Sequence, residues 1–218
     1  MKKSDEVVDL NLDLEEPHSI ENPEAGTDTL LSDQIPQMAA RLNVQEALLS
    51  ALTRDLPFND FMTEVLLAIM KPIQCEAGSI IEVNHEERTL FFRAAAGYRS
   101  DQVMGYVIPM GRGIAGHVAD SREPFVVSNV QENKVHLRSI SKAIGFDARN
   151  LLAMPLVIRG KIYGVLELLN RVGEKEFSTT DVDTCAQLCA SAVKAIEIRL
   201  MLSWSMQNQS SRPGSKAA

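Results

Sequence analysis

The stretch Leu151–Arg171, LLAMPLVIRGKIYGVLELLNR, decides the fold class of this chain. It reads as two apolar strands joined by a tight Arg159-Gly160-Lys161 turn, because a β-rich run, a glycine at the reversal and a second such run are the signature of a hairpin. Met154, Leu156 and Ile158 alternate onto one face of the first strand, and Val165, Leu168 and Leu169 keep the second apolar. Strands this poor in polar side chains belong where both faces are covered, at the centre of a sheet.

Downstream, Phe177-Ser178-Thr179-Thr180-Asp181 marks a helix start, with Ser178 as N-cap and Asp181 as its reciprocal partner. The helix runs to about Gln207, and Val182, Ala186, Cys189, Val193, Ile196 and Leu200 step along it by 4, 3, 4, 3 and 4, the spacing of a coiled-coil seam. Upstream of the hairpin, Pro124–Val127 is a strand and Asn129–Asn150 a long polar connection with a short helix near Leu137–Ile144. A connection of that length in a compact domain is expected to be a lid over a pocket.

Gly111-Arg112-Gly113-Ile114-Ala115-Gly116 spells G-x-G-x-x-G. A dinucleotide fingerprint requires a parallel βαβ unit around it, and the neighbouring strands Tyr106–Pro109 and Pro124–Val127 are short and antiparallel in character, so that reading is rejected. What remains is a glycine-rich turn opening a short helix, Ile114–Asp120, whose first backbone N–H groups are free to hold an anion or a polar ligand atom. Earlier still, Ser79–Val83 and Leu90–Ala96 read as strands about a His85–Arg88 turn. A helix from about Asn59 to Met70 buries Phe61, Val65, Leu66 and Ile69 and is stopped by Pro72. Before Pro57, a helix carries Met38, Leu42, Gln45, Leu49, Leu52 and Leu56, again stepping by 4, 3, 4, 3 and 4, a short seam with one polar position.

The 218 residues, 45% hydrophobic, suffice for one core with appendages, and the formal net charge of −7 is a property of one end. Residues 1–40 hold ten acidic and two basic side chains, which leaves the remainder close to neutral and without the basic stripe that nucleic-acid binding needs. Residues 1–36, acidic and broken by Pro17, Pro23, Gly26 and Pro36, are expected to be disordered. Within them Val8, Leu10, Leu12 and Leu14 alternate with polar residues, which suits either a solvated tail or a docking peptide that adds as a strand to a sheet edge. Lys2 and Lys3 precede no apolar run, and no stretch is long enough to span a bilayer, so no membrane association and a cytoplasmic location are expected. Cys75, Cys185 and Cys189 form no Cys-x-x-Cys pair and read as reduced thiols.

Four segments in order, GRGIAGHVADSREPFVV, GFDARNLLAMPL, GKIYGVLELLNR and FSTTD, resemble a GAF domain, the small-molecule sensory module of signalling proteins, over roughly Leu56–Leu200. They are most similar to the GAF domains of cyclic-nucleotide phosphodiesterases. The signature of those domains pairs Asn-Lys with a downstream Phe and Asp-Glu; here it stands as Asn170-Arg171, Phe177 and Asp181-Val182, with one basic residue exchanged and the final acid absent. An Arg171–Asp181 ion pair would tie the end of the hairpin to the start of the last helix.

The resemblance implies an α+β fold: a six-stranded antiparallel sheet with N- and C-terminal helices packed on one face and a ligand pocket on the other. Residues 57–207 would form the domain, 37–56 a dimerisation and signalling helix, and 208–218 a disordered tail. The ligand-binding residues it implies are Ser79, Ile114, Ala115 and Glu167, joined from the connection by Asn129, Leu137, Ser141, Phe146 and Arg149. The chain departs from the pattern at Ala94–Ala96, where an acid is expected after an aromatic, and at Leu137, Ser141, Ile144 and Ala148, where polar and aromatic groups are expected.

Glu167 stands among apolar neighbours in a central strand, so its carboxylate requires either a ligand or a protein partner such as Arg149. His85, His117 and His136 lack the spacing of a metal site. Cys185 and Cys189, one helical turn apart, read as core residues. Some relatives reduce free methionine sulfoxide with pocket cysteines, and this chain carries none on its lid. The expected function is therefore a non-catalytic signalling module, a homodimer through helices 37–56 and 178–207. It would bind a cyclic nucleotide or another small metabolite, with no cofactor certain and a protein signalling partner. The alternative is an interaction adaptor with a vestigial pocket and an acidic docking tail.

Overall fold

A computed structural model describes residues 25–132 and 145–210. The chain divides into two compact units, Met1–Pro36 and Gln37–Ala218. Helices α1 (Ala25–Thr53) and α2 (Phe58–Ile73) come first. Strands β1 (Cys75–Asn84) and β2 (Thr89–Gly97), a 3₁₀ turn (Ser100–Val103), β3 (Val107–Pro109), α3 (Gly113–Ser121) and β4 (Phe125–Val127) follow, then β5 (Leu151–Ile158), β6 (Lys161–Arg171) and α4 (Thr179–Ser210). The strands form one six-stranded sheet in the order β3-β2-β1-β6-β5-β4, antiparallel at every pairing.

The hairpin sits where its apolar character requires. β6 is central, paired to β1 on one side and β5 on the other, while β5 is flanked by three-residue β4. Ile158 opposes Lys161 across the turn, and both Arg159 (φ 49°) and Gly160 (φ 75°) take positive φ, the two-residue geometry whose twist matches that of the strands. Alternation then sends side chains to two cores. Leu152, Met154, Leu156, Leu166 and Leu168 join α1, α2 and α4 on one face, whereas Leu151, Ala153, Ile162 and Val165 join α3 on the other. Gly164 lets β1 and β6 approach; a Cβ there would lie 2.4 Å from the Ile81 carbonyl oxygen. On the helical face Glu82 accepts hydrogen bonds from Arg93 Nε and from the Tyr163 hydroxyl, each at 2.7 Å, and Arg93 reaches Asn59 at 3.0 Å, which fastens α2 to the sheet.

Several boundaries differ from the sequence reading. α1 begins at Ala25, inside the stretch expected to be disordered, and runs through Pro36; the apolar spacing of its seam continues upstream through Ile35 and Leu31. Pro72 lies within α2, which ends at Gln74, where the backbone is left-handed and the N–H bonds the Met70 carbonyl at 2.8 Å. β1 starts at Cys75, because Cys75 and Ala77 pair with Arg171 and Leu169 of the hairpin. The expected helix at 137–144 lies outside the described residues.

The two seams are used differently. On α1, Val44, Leu48 and Ala51 are buried in the core, while Met38, Leu42 and Leu49 are each more than half exposed. On α4, Cys189 and Ile196 are buried and Val182 and Val193 pack against the same core. That stripe is therefore spent largely inside the domain, and the exposed apolar surface of α4 lies near its end, at Met201, Leu202, Trp204 and Met206.

The exit of β6 is clamped by polar groups. Asn170, left-handed at φ 59°, accepts from the Arg149 N–H at 2.8 Å and donates to Glu76 and to the Asp147 carbonyl at 2.9 Å each. Arg171 meets Asp181 at 3.2 Å, as expected. Asp181 accepts the Ser178 N–H at 2.9 Å while its own N–H bonds the Ser178 hydroxyl at 3.1 Å, a complete capping box. Phe177 is buried beneath it.

Candidate functional site

On the sheet face away from α2 and α4, Ser79 of β1 stands directly opposite Glu167 of β6, and Ala153 of β5 faces Glu167 from the other side. Ala77 and Ala95 are too small to fill the space above the sheet, and a cavity of about 100 Å³ remains, several times what one water molecule needs. Phe92, Ile114, Phe146, Leu151 and Leu169 make its walls apolar, and the exposed Tyr98 and Arg99 line it as well.

The glycine-rich turn supplies one wall. Gly113 (φ 65°) opens α3, and a Cβ on Gly116 would come 2.7 Å from the Pro109 carbonyl oxygen, so these glycines serve a turn and the contact of α3 with β3. α3 has no side-chain cap of its own. Instead the Ala115 N–H, one of the orphan donors of its first turn, bonds the Glu167 carboxylate. That bond and the helix dipole favour the charged form, but burial outweighs them and pushes the carboxyl up to about 7.

Arg149, offered by the sequence as the partner of Glu167, pairs with Glu76 instead, at 2.6 Å. Together with Asn170 it holds the Glu76 carboxyl below the usual carboxylate range. No ion pair to Glu167 forms among the described residues. Of the other residues expected at the site, Ser79, Ile114, Ala115 and Phe146 line the cavity. Asn129 is exposed and accepts the Gln131 N–H at 3.1 Å, away from the lining, and Leu137 and Ser141 lie outside the described residues.

Sequence reasoning missed Phe92, Tyr98, Arg99, Leu151 and Leu169. Tyr98 and Arg99 follow β2 as an ordinary polar turn, and only the fold carries them over the sheet. The guanidinium of Arg99 stacks on Tyr98 at 5.1 Å and lies where a side chain at Gly145 would be. Elsewhere Cys185 and Cys189 are both buried, their sulfurs 4.0 Å apart. His85 Nε2 is 2.8 Å from the Ile162 carbonyl, and His117 packs edge-on against Phe125. Among the described residues no helix is long and apolar enough to cross a membrane.

The six-stranded antiparallel sheet with helices on one face and a cavity on the other is the architecture of GAF domain structures, and a model of the GAF domain matches residues 55–197. The chain belongs to the GAF domain family, a family of regulatory and sensory modules. Among curated proteins it is similar to the cone cGMP-specific 3',5'-cyclic phosphodiesterase subunit alpha' of Bos taurus, 36% identical over 75 residues, 34% of this chain and 9% of that protein. It is also similar to the dual 3',5'-cyclic-AMP and -GMP phosphodiesterase 11A of Takifugu rubripes, 25% identical over 153 residues, 65% of this chain and 17% of that protein. The chain thus spans less than a fifth of the length of these relatives. Among solved structures, the GAF domain of a phosphoenolpyruvate-protein phosphotransferase from Coxiella burnetii superposes with a TM-score of 0.64 at 16% identity, covering 76% of this chain and 97% of that one. The free methionine-R-sulfoxide reductase of Neisseria meningitidis superposes with a TM-score of 0.60 at 18% identity, covering 74% and 91%. At such identities these two speak for the fold alone.

Proposed function

We propose that this chain is a non-catalytic sensor: a dimeric GAF module that binds a small ligand in the cavity above Ser79 and Glu167 and relays its presence to a partner protein through its helices. The observation that carries the reading is Glu167 itself, an acidic side chain set in a cavity with apolar walls and held, among the described residues, by a single backbone N–H. Three residues beyond it, β6 ends in the Asn170–Arg171 clamp, and Arg171 grips the first turn of α4. A ligand that shifts Glu167 therefore has a short, rigid route to the helix. The names of the phosphodiesterase relatives bring forward cyclic nucleotides as one candidate class. The buried, mutually adjacent Cys185 and Cys189 lie on the opposite side of the sheet from the cavity, which supports a binding role over a thiol-based reaction.

Thermal-shift screening against cyclic mono- and dinucleotides, haem and small metabolites tests the reading, since a ligand bound only by the folded chain raises its melting temperature. A hit that survives deletion of residues 1–36 supports the sensor. A flat screen, with partner capture lost on the same deletion, supports an adaptor.

A further inference from the structure

Resting on that reading of the cavity, we infer that its ligand is a compact molecule with an apolar body and a protonated nitrogen, which docks as an ammonium-type cation on the carboxylate of Glu167. Three features of the site converge on this chemistry.

The first is the missing counter-charge. Glu167 lies on the cavity floor and, among the described residues, receives one hydrogen bond, from the Ala115 N–H, which leaves the remaining lone pairs of its carboxylate to the cavity. Among the described residues, the elements packed around it bring no cation to it: β1 presents Ser79, β5 presents Ala153, and α3 presents Ile114 and Ala115. Arg149 faces Glu76, and Arg99, the other charged group lining the cavity, lies beside Tyr98 and Gly145.

The second is the wall chemistry. Phe92, Ile114, Leu151 and Leu169 offer no donors or acceptors from their side chains, so a ligand rich in polar groups would lose its hydration there without replacement. The third is size. A volume of about 100 Å³ suits a molecule of a few heavy atoms better than a purine nucleotide, since pockets for drug-sized ligands run to roughly 300–1,000 Å³.

A cation stabilises ionised Glu167, so docking releases the proton that the empty cavity retains near neutrality. An aliphatic ammonium, with a pKa near ~10, stays charged throughout. With the carboxyl at about 7 in the empty cavity, its ionised fraction rises about tenfold between pH 6 and pH 8, and the affinity for the amine rises by the same factor.

The test uses the full chain and four probes: 3-methylbutylamine, its uncharged isostere 3-methylbutan-1-ol, the acid 4-methylpentanoate, and cyclic GMP. Binding is followed by calorimetry and thermal shift at pH 6 and pH 8. The expected result is binding of the amine but not of the alcohol or the acid, about tenfold tighter at pH 8, with loss of binding in Glu167→Gln. Amine binding that is equal at the two pH values, or unchanged in Glu167→Gln, overturns the inference. Should the variant fail to fold, the pH dependence of the wild-type chain decides alone. Binding of cyclic GMP without the amine also overturns it while leaving the sensor reading intact. No binding by any probe overturns it and counts against the sensor as well.

Discussion

Glu167 shows how far a single residue can be read from its neighbours in sequence. An acid between Leu166 and Leu168 in an apolar strand is conspicuous, and its need for a partner follows from the cost of burying a charge. The partner itself was not legible. Arg149 is the cation the sequence reading offers, yet it pairs with Glu76, and Glu167 meets the first turn of α3 instead. The electrostatics make a prediction. The carboxyl binds its proton more tightly in the folded chain (about 7) than in the unfolded one (about 4.5), so stability falls as pH rises between these values and stays low above them. Glu167→Gln removes that loss: in the absence of ligand the variant should be about 3 kcal/mol more stable than wild type at pH 8, and within about 1 kcal/mol of it at pH 4. Urea unfolding at the two pH values checks this. Equal stability at pH 8 would mean that burial does not raise the affinity of the carboxyl for its proton.

At the scale of elements, local signals were read well. The hairpin turn, the α4 capping box and the Arg171–Asp181 pair all involve residues within ten positions of one another, where spacing alone constrains geometry. Asp181 carries two of these devices. Replacing it with alanine removes the reciprocal cap and strands the half-buried Arg171, for an expected loss of about 2–4 kcal/mol. Arg171→Ala leaves the cap intact and should cost less, about 1–2 kcal/mol. Denaturant titration of both variants would separate cap from ion pair, and equal losses would show that the cap contributes little. Gly164→Ala tests the close approach of β1 and β6: a methyl 2.4 Å from the Ile81 carbonyl oxygen must push the central strands apart, with an expected cost of about 1–3 kcal/mol in the same assay. The start of β1 was less legible, because Cys75–Gly78 has no strand pattern of its own and becomes extended by pairing with the end of the hairpin.

For the whole molecule, the two helical seams carry the lesson. The 4-3 spacing on α1 and on α4 looks the same in sequence, yet α4 turns most of its stripe into the core while α1 keeps Met38, Leu42 and Leu49 exposed and buries a second stripe, Val44, Leu48 and Ala51. The exposed stripe supports the proposed dimer. Leu42→Lys together with Leu49→Lys places charges on that seam without touching the buried one, and should convert a dimer to a monomer in sedimentation equilibrium with little change in the melting temperature of the domain. A wild-type chain that sediments as a monomer at micromolar concentration would remove the dimer from the proposal.

The order of apolar runs, turns and caps was enough to determine the central hairpin and the capped start of α4, because those features depend on alternation, on helical period and on contacts a few residues apart, while the α+β class followed from the resemblance to a GAF domain. The cavity was decided only by tertiary structure. It exists because β1, β2 and β6 bring Ala77, Ala95 and Glu167, far apart in the chain, onto one face, and because α3 spends an orphan N–H on a carboxylate rather than on a cap of its own. Which apolar stripe meets the core and which meets solvent was likewise settled by packing, since periodicity defines a face but not what lies against it.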